Sequence, residues 1–185
     1  MSKFDALREE YKSWADRQIE YERISTQFFL AFVNGFREYI GAPDTYTDHD
    51  GSTKWYIEPQ AAKQEEGQWQ FRECEFSKDL LERDEDGYWT AGLRITVNPF
   101  PIMFFVSLIR FLLVDNRCKL LVGFQSKEFT FDITSSEAAT SAYDYILDLM
   151  RMVFNAPPSQ IPSLKEPPQS DLCGQKQTAV INSPP

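Results

Sequence analysis

The segment 88-YWTAGLRITVN-98 decides the fold of this chain. Successive side chains of a β-strand point to opposite faces of a sheet, so a period of two in apolar residues predicts a strand with one buried face. This segment keeps that period from its second residue to its tenth, and Pro99 and Pro101 then end the pattern. The alternating apolar residues are Trp89, Ala91, Leu93, Ile95 and Val97.

The next segment, 102-IMFFVSLIRFLLV-114, is the longest apolar run of the chain, and two structures suit it. Its Phe, Ile and Val content favours a strand. Ser107 and Arg110 lie three residues apart, and Pro101 could occupy the first position of a helix, so a helix is the alternative. We favour the strand. At about 13 residues the run is too short to cross a bilayer as a helix.

Shorter strands are expected on both sides of this pair. Towards the carboxyl end, residues 118–125 and 128–133 are apolar segments separated by the turn at Ser126 and Lys127. Towards the amino end, the sequence predicts a short strand over 54–58 that ends at Pro59, a polar connection over 61–67, a strand over 68–77 and an acidic turn over 80–87. Short turns imply antiparallel neighbours.

Two helices flank these strands. Residues 2–40 carry large apolar side chains at spacings of three and four, and Gly41 with Pro43 supplies the stop. Unbroken, this helix would be about 57 Å long at about 1.5 Å per residue, longer than a compact domain is wide. Either it breaks or its amino-terminal half overhangs the domain. A second helix is expected over 135–155, with a capping box at residues 134–137.

The order helix, strands, helix predicts an α+β fold. In it, an antiparallel β-meander of four to six strands, over about 54–133, packs on the long N-terminal helix and the C-terminal helix as a two-layer sandwich. We expect residues 1–155 to form a single domain. Residues 156–185 hold seven of the eleven prolines and no aromatic residue, so the sequence predicts a disordered Pro-rich tail.

The net charge of −9 and the cysteine content exclude several classes of function and compartment. Basic and acidic residues are interleaved, and without a basic patch the chain is expected to bind neither nucleic acid nor an anionic membrane. Three cysteines with no CxxC pair do not form a disulfide framework. With no signal peptide pattern at the amino end, the sequence predicts a soluble, cytoplasmic protein.

One cluster has the chemistry of metal ligands: Asp44, Asp48 and Asp50, with His49. The spacing does not fit a calcium-binding EF-hand, since Gly51 at the obligatory glycine puts Tyr46 at the first ligand position. A turn whose carboxylates cap local backbone is the competing interpretation, and we favour it. His49 is the sole histidine, and no glycine-rich phosphate loop occurs, so the sequence predicts no cofactor.

The least ordinary feature lies in the first helix, where four large apolar residues interrupt a charged surface: Phe4, Leu7, Tyr11 and Trp14. Their spacing of three and four is that of a coiled-coil seam. They would either pack on the protein's own sheet or last helix, or form a face for self-association or partner docking.

These observations lead to three hypotheses about function. The first is a non-enzymatic protein-binding module, such as an adaptor, a chaperone or an immunity-type inhibitor, that uses its acidic surface and this aromatic N-terminal helix. The second is a small-molecule-binding domain with an aromatic pocket. The third is a metal-dependent enzyme at Asp44, Asp48 and Asp50. The aromatic pocket of the small-molecule-binding hypothesis would be lined by Trp55, Trp69, Trp89 and Phe105.

Overall fold

The computed structural model describes residues 2–74, 79–99, 102–135 and 138–155. Within these ranges the chain forms two helices and nine strands. In chain order they are α1 (Lys3–Ile40), β1 (Thr45–Thr47), β2 (Thr53–Trp55), β3 (Ile57–Glu65), β4 (Gln68–Glu73), β5 (Glu82–Arg83), β6 (Trp89–Pro99), β7 (Ile102–Val114), β8 (Arg117–Val122), β9 (Lys127–Asp132) and α2 (Thr140–Asn155).

Seven of these strands form one antiparallel sheet in the order β4-β3-β6-β7-β8-β9, with β5 paired to β6. The predicted α+β meander between two helices is therefore confirmed, with slightly more strands than expected. Strand β6 is the quoted segment, displaced by one residue at each end from the predicted bounds.

Four of the five alternating apolar residues of β6 lie on the face of the sheet that carries both helices; the fifth, Val97, lies at a register shift between Thr96 and Asn98 and is exposed. Trp89, Ala91, Leu93 and Ile95 belong to one buried cluster, together with Phe29 and Phe36 of α1 and Ile146 of α2. Leu93, Phe36 and Ile146 are fully buried. The core thus lies between one layer of helices and one layer of strands, as the alternation predicts.

The ambiguous run is the strand β7. It pairs with β6 over nearly its whole length and with β8 from Ile109 to Val114. Side chains on both faces of β7 are buried, among them Phe111 and Leu108. A strand with this environment has a continuous apolar sequence, so the periodicity of residues 102–114 could not distinguish a strand from a helix.

The amino-terminal part of the sheet differs from the prediction. Strand β3 continues through Pro59 and Ala61 to Glu65, where the sequence predicted an end and a polar connection. Pro59 precedes the residues that pair with β4, so it lies where β3 has a strand on one side only, a position that tolerates a missing N–H. Glu66 and Gly67 both have positive φ, as a two-residue β-hairpin turn requires.

Two further segments are more ordered than predicted. The segment of Asp44, Asp48 and Asp50, expected as a turn, contains β1, which pairs with β2 as a separate two-stranded sheet. The acidic turn over 80–87 holds β5, whose Glu82 and Arg83 pair with Thr90 and Trp89.

Helix α2 begins at Thr140, five residues later than expected. The Thr134 N–H and hydroxyl both donate to Asp132 Oδ1, at 2.9 and 2.7 Å, so this threonine closes a turn after β9 and does not cap the helix. The other members of the predicted capping box, Ser136 and Glu137, lie outside the described residues, as does the predicted tail, 156–185.

Helix α1 is continuous over 38 residues. It ends as predicted at Gly41, which has a φ of 64° and donates its N–H to the carbonyls of Arg37 and Glu38. At about 1.5 Å per residue it is about 57 Å long, so of the two expected outcomes the overhang is the observed one. In the described part of the chain, neither helix is long and apolar enough to cross a membrane.

Candidate functional site

The amino-terminal part of α1 extends beyond the sheet. The last contacts with the body of the protein in this direction are those of Gln18, whose Oε1 accepts a 3.4 Å hydrogen bond from Arg83 Nη1, and of Tyr21. We call residues 3–17 the overhang. The four apolar residues singled out in the sequence lie on it and are exposed: Phe4 by 67%, Leu7 by 61%, Tyr11 by 67% and Trp14 by 50%.

These residues continue the row of side chains that binds the helix to the sheet. Farther along that row, the Tyr21 hydroxyl donates to the Leu113 carbonyl at 3.2 Å, and its ring lies 5.9 Å from that of Trp89. Phe28 packs on Phe111 with the ring centroids 5.1 Å apart. The pattern that buries α1 against the sheet therefore continues for about four more helical turns, over residues 3–17, with no part of the described chain against it. We call Phe4, Leu7, Tyr11 and Trp14 the seam.

The overhang is helical because its start is capped. The Asp5 N–H donates to Ser2 Oγ at 3.1 Å, and the Ser2 N–H donates to Asp5 Oδ2 at 2.9 Å, which forms a capping box. Hydrogen bonds from the Ser2 hydroxyl and N–H lower the pKa of Asp5. The cap therefore acts fully above the ordinary carboxyl pKa and is lost as the pH falls through the lower folded value. A serine followed three residues later by an aspartate, here Ser2 and Asp5, indicates such a cap in the sequence, but it was not among the features predicted from it.

The three loop carboxylates do not converge on a metal site. Asp44 forms an ion pair with Arg37 at 3.3 Å, and Asp50 Oδ1 accepts from the Ser52 N–H at 2.9 Å. Asp48 is buried and bonds to its neighbour, since its Oδ1 accepts from the His49 N–H at 2.8 Å and lies 2.7 Å from His49 Nδ1. Within the described ranges, no group of three His, Cys, Asp or Glu side chains could hold a metal ion. The geometry that the third hypothesis required is absent there.

The four aromatics of the expected pocket do not share a cavity. Trp55 is half exposed on the β1–β2 hairpin, with the Arg37 guanidinium 5.6 Å from its ring. Trp89 is in the core, and Phe105 lies at a small apolar slot of about 140 Å³ between β7 and the end of α2. Trp69 lies on a different cavity, on the face of the sheet that carries no helix. The sequence could not separate these residues because their distribution depends on strand order.

That cavity has a volume of about 660 Å³ and a charged lining, and sequence reasoning missed it. Its central feature is Arg110, which donates to Asp84 Oδ2 from Nε at 2.8 Å and from Nη2 at 2.5 Å, and to Asp86 Oδ2 at 3.1 Å. The Tyr88 N–H donates to Asp84 Oδ1 at 2.9 Å. Two features of the sequence indicate this site: an arginine, Arg110, within the apolar run 102–114, and the acidic turn over 80–87. Arg110 offsets only part of the negative charge of the lining, which also holds Glu82, Arg83 and Glu85.

The two cysteines in the described part of the chain, Cys74 and Cys118, differ in their environments. Cys118 is fully buried in the core, and burial raises the pKa of its thiol to about 12, so the thiolate that does chemistry is disfavoured. Cys74 Sγ lies 3.4 Å from the Asp79 carbonyl. Both are free thiols.

In comparisons with known proteins, no family model, no curated protein and no solved structure matches this chain.

Proposed function

We propose that this protein is a non-enzymatic protein-binding module whose docking surface is the seam on the overhang of α1. The observation that carries the proposal is the continuity of one row of side chains. From Tyr21 onward the row is covered by the protein's own sheet, whereas Phe4, Leu7, Tyr11 and Trp14 are exposed. Contiguous exposed apolar side chains rimmed by charges are typical of interaction sites.

The spacing of the seam favours a helix as the partner element. Apolar residues at intervals of three and four form a single stripe along α1, and such a stripe packs into the complementary stripe of another helix. Tyr11 and Trp14 also contact each other, with ring centroids 5.8 Å apart, which makes a broad aromatic surface at the centre of the seam. Buried aromatic anchors of this kind each contribute about 1–4 kcal/mol to binding when truncation to alanine is measured.

The acidic surface of the protein lies elsewhere. Of the net charge of −9, none falls on the overhang, which carries as many basic as acidic residues. The acidic remainder of the folded part would keep the protein soluble and would repel acidic proteins. We place the protein in the cytoplasm, where a buried free thiol such as Cys118 stays reduced.

A double substitution tests the proposal, with a control on the same helix. Tyr11→Glu/Trp14→Glu places two carboxylates in the seam and should abolish capture of protein partners in affinity purification from the native cell. Ile19→Glu is the matched control, because Ile19 is 66% exposed on α1 but lies off the seam. Both variants should keep the thermal unfolding midpoint of the unaltered chain when all are measured dilute enough to be monomeric.

A set of captured proteins that is the same for the double variant, the control and the unaltered chain would contradict the proposal. Deletion of residues 1–18 should have the same effect as the double variant and leave the domain folded.

A further inference from the structure

We propose that the seam binds the seam of a second copy of this chain, with the two overhangs antiparallel, so that the protein is a homodimer. This inference rests on the proposed function, since it names the partner of the same surface. The supporting observations are the length of the seam, the side of α1 on which the sheet lies, and the charges that flank the apolar row.

The length of the exposed seam matches a second overhang. From Tyr21 onward the space over the apolar row is filled by the protein's own sheet, at Leu113 and Trp89. A partner helix can therefore lie along α1 from its start to Tyr21, where the sheet begins; the overhang itself spans about 22 Å at about 1.5 Å per residue. The overhang of a second copy is a helix of this length and carries the same apolar row.

The position of the sheet selects the antiparallel arrangement. The sheet contacts α1 on the same face as the seam, beginning at Tyr21. In a parallel pair, both sheets would lie at the same level on the facing sides of the two helices and would collide. In an antiparallel pair the two sheets lie at opposite ends, and each overhang covers the seam of the other.

The antiparallel pair has a register in which large rings fill the centre. Tyr11 of each copy then lies opposite Trp14 of the other, and Leu7 lies opposite Gln18. Phe4 reaches the level of Tyr21 at the edge of the sheet, where the exposed Val114 at the end of β7 offers apolar surface. The two central layers therefore pair aromatic with aromatic, and the next layer on each side pairs Leu7 with Gln18.

The flanking charges favour this register. It places Glu10 of each copy beside Arg17 of the other, on both sides of the dimer axis, and oppositely charged flanking residues set partner and orientation in paired helices. Among the described residues, Arg17 donates within α1, from Nη1 to Ser13 Oγ at 2.9 Å. Shifting the register by one heptad would instead oppose Arg8 to Arg8, Glu10 to Glu10 and Lys3 to Arg17.

The overhang is also suited to self-association because it has no net charge. Two copies of the acidic body repel each other, but two overhangs do not, and the antiparallel arrangement keeps the bodies apart. Its basic residues are Lys3, Arg8, Lys12 and Arg17, and its acidic residues are Asp5, Glu9, Glu10 and Asp16.

Charge reversal in the full chain tests the contact directly. Glu10→Arg and Arg17→Glu each convert two attractive pairs into two repulsive ones, and each should weaken the dimer by about tenfold or more in analytical ultracentrifugation. The double variant Glu10→Arg/Arg17→Glu should restore dimerisation. An equimolar mixture of the two single variants should form a heterodimer. Glu9→Arg, on the outer face of the helix, is the control and should leave the dimer intact.

The outcomes separate this inference from the proposed function. Failure of the double variant to restore a dimer that both single reversals weaken would overturn the antiparallel register. A chain that stays monomeric at about 100 µM would overturn the homodimer. If that monomer still captures another protein and loses it in Tyr11→Glu/Trp14→Glu, the proposed function stands with a different partner. If it captures nothing that depends on the seam, both fail.

Discussion

The contact between Gly35 and Tyr143 fixes how closely the two helices approach. The Tyr143 hydroxyl donates to the Phe32 carbonyl at 3.1 Å, and a Cβ added at Gly35 would lie 2.5 Å from this hydroxyl oxygen. Burial is the main cause that raises the pKa of Tyr143 to about 12, so the hydroxyl stays protonated and remains a donor at neutral pH. From the sequence alone, Gly35 is only a glycine within a predicted helix, and nothing indicates its contact with Tyr143.

We expect Gly35→Ala to destabilise the protein, although alanine is the better helix former by about 1 kcal/mol. The added methyl must displace a buried ring, and overpacking of this kind costs about 1–3 kcal/mol. Urea unfolding measures the effect. In a Tyr143→Phe background, which removes the opposing oxygen, the same substitution should cost less; an equal cost in both backgrounds would show that the hydroxyl is not the obstacle.

At the scale of the element, α1 has two halves with the same pattern and different environments. Phe29 and Phe36 are fully buried under the sheet and α2, whereas Tyr11 in the overhang is 67% exposed. The residue types and spacing do not distinguish a row that is covered from one that is not, because coverage depends on where the sheet ends. This is why both interpretations of the seam remained open from the sequence.

Phe36→Ala should lower the free energy of unfolding by about 3–5 kcal/mol, because it leaves a cavity in the core. Tyr11→Ala should change it by less than about 0.5 kcal/mol when measured with the protein dilute enough to be monomeric. Thermal and urea unfolding of both variants provide the comparison. A large loss for Tyr11→Ala under those conditions would mean that the overhang packs on its own chain.

At the scale of the whole molecule, the Arg110–Asp84 pair ties the acidic turn to the middle of the sheet. Arg110 lies in β7, and Asp84 follows β5. Their ion pair lines the cavity of about 660 Å³ on the face of the sheet that carries no helix. The two side chains are only 19% and 17% exposed. The segment that the sequence predicted as an acidic turn is thus held against the sheet by one arginine.

Asp84→Ala should cost about 1–3 kcal/mol, because it leaves a half-buried guanidinium with one weaker partner. Asp84→Ala/Arg110→Met should recover part of this loss, since it removes the unpaired charge. Glu65→Ala breaks the exposed Lys63–Glu65 pair and is the control, with an expected cost of less than about 0.5 kcal/mol. Equal costs for Asp84→Ala and Glu65→Ala in urea unfolding would contradict the structural role.

Local patterns in the sequence were enough to predict the alternation from Trp89 to Ile95, the stop at Gly41 and the apolar row of α1. Such patterns survive in the sequence because each residue's environment repeats with the period of its own element. Three outcomes required the tertiary structure. Strand β3 continues past Pro59, and Arg110 holds the acidic turn. The apolar row of α1 is covered by the sheet from Tyr21 onward and is exposed in the residues before it. These outcomes depend on contacts between residues far apart in the chain, which no local period records.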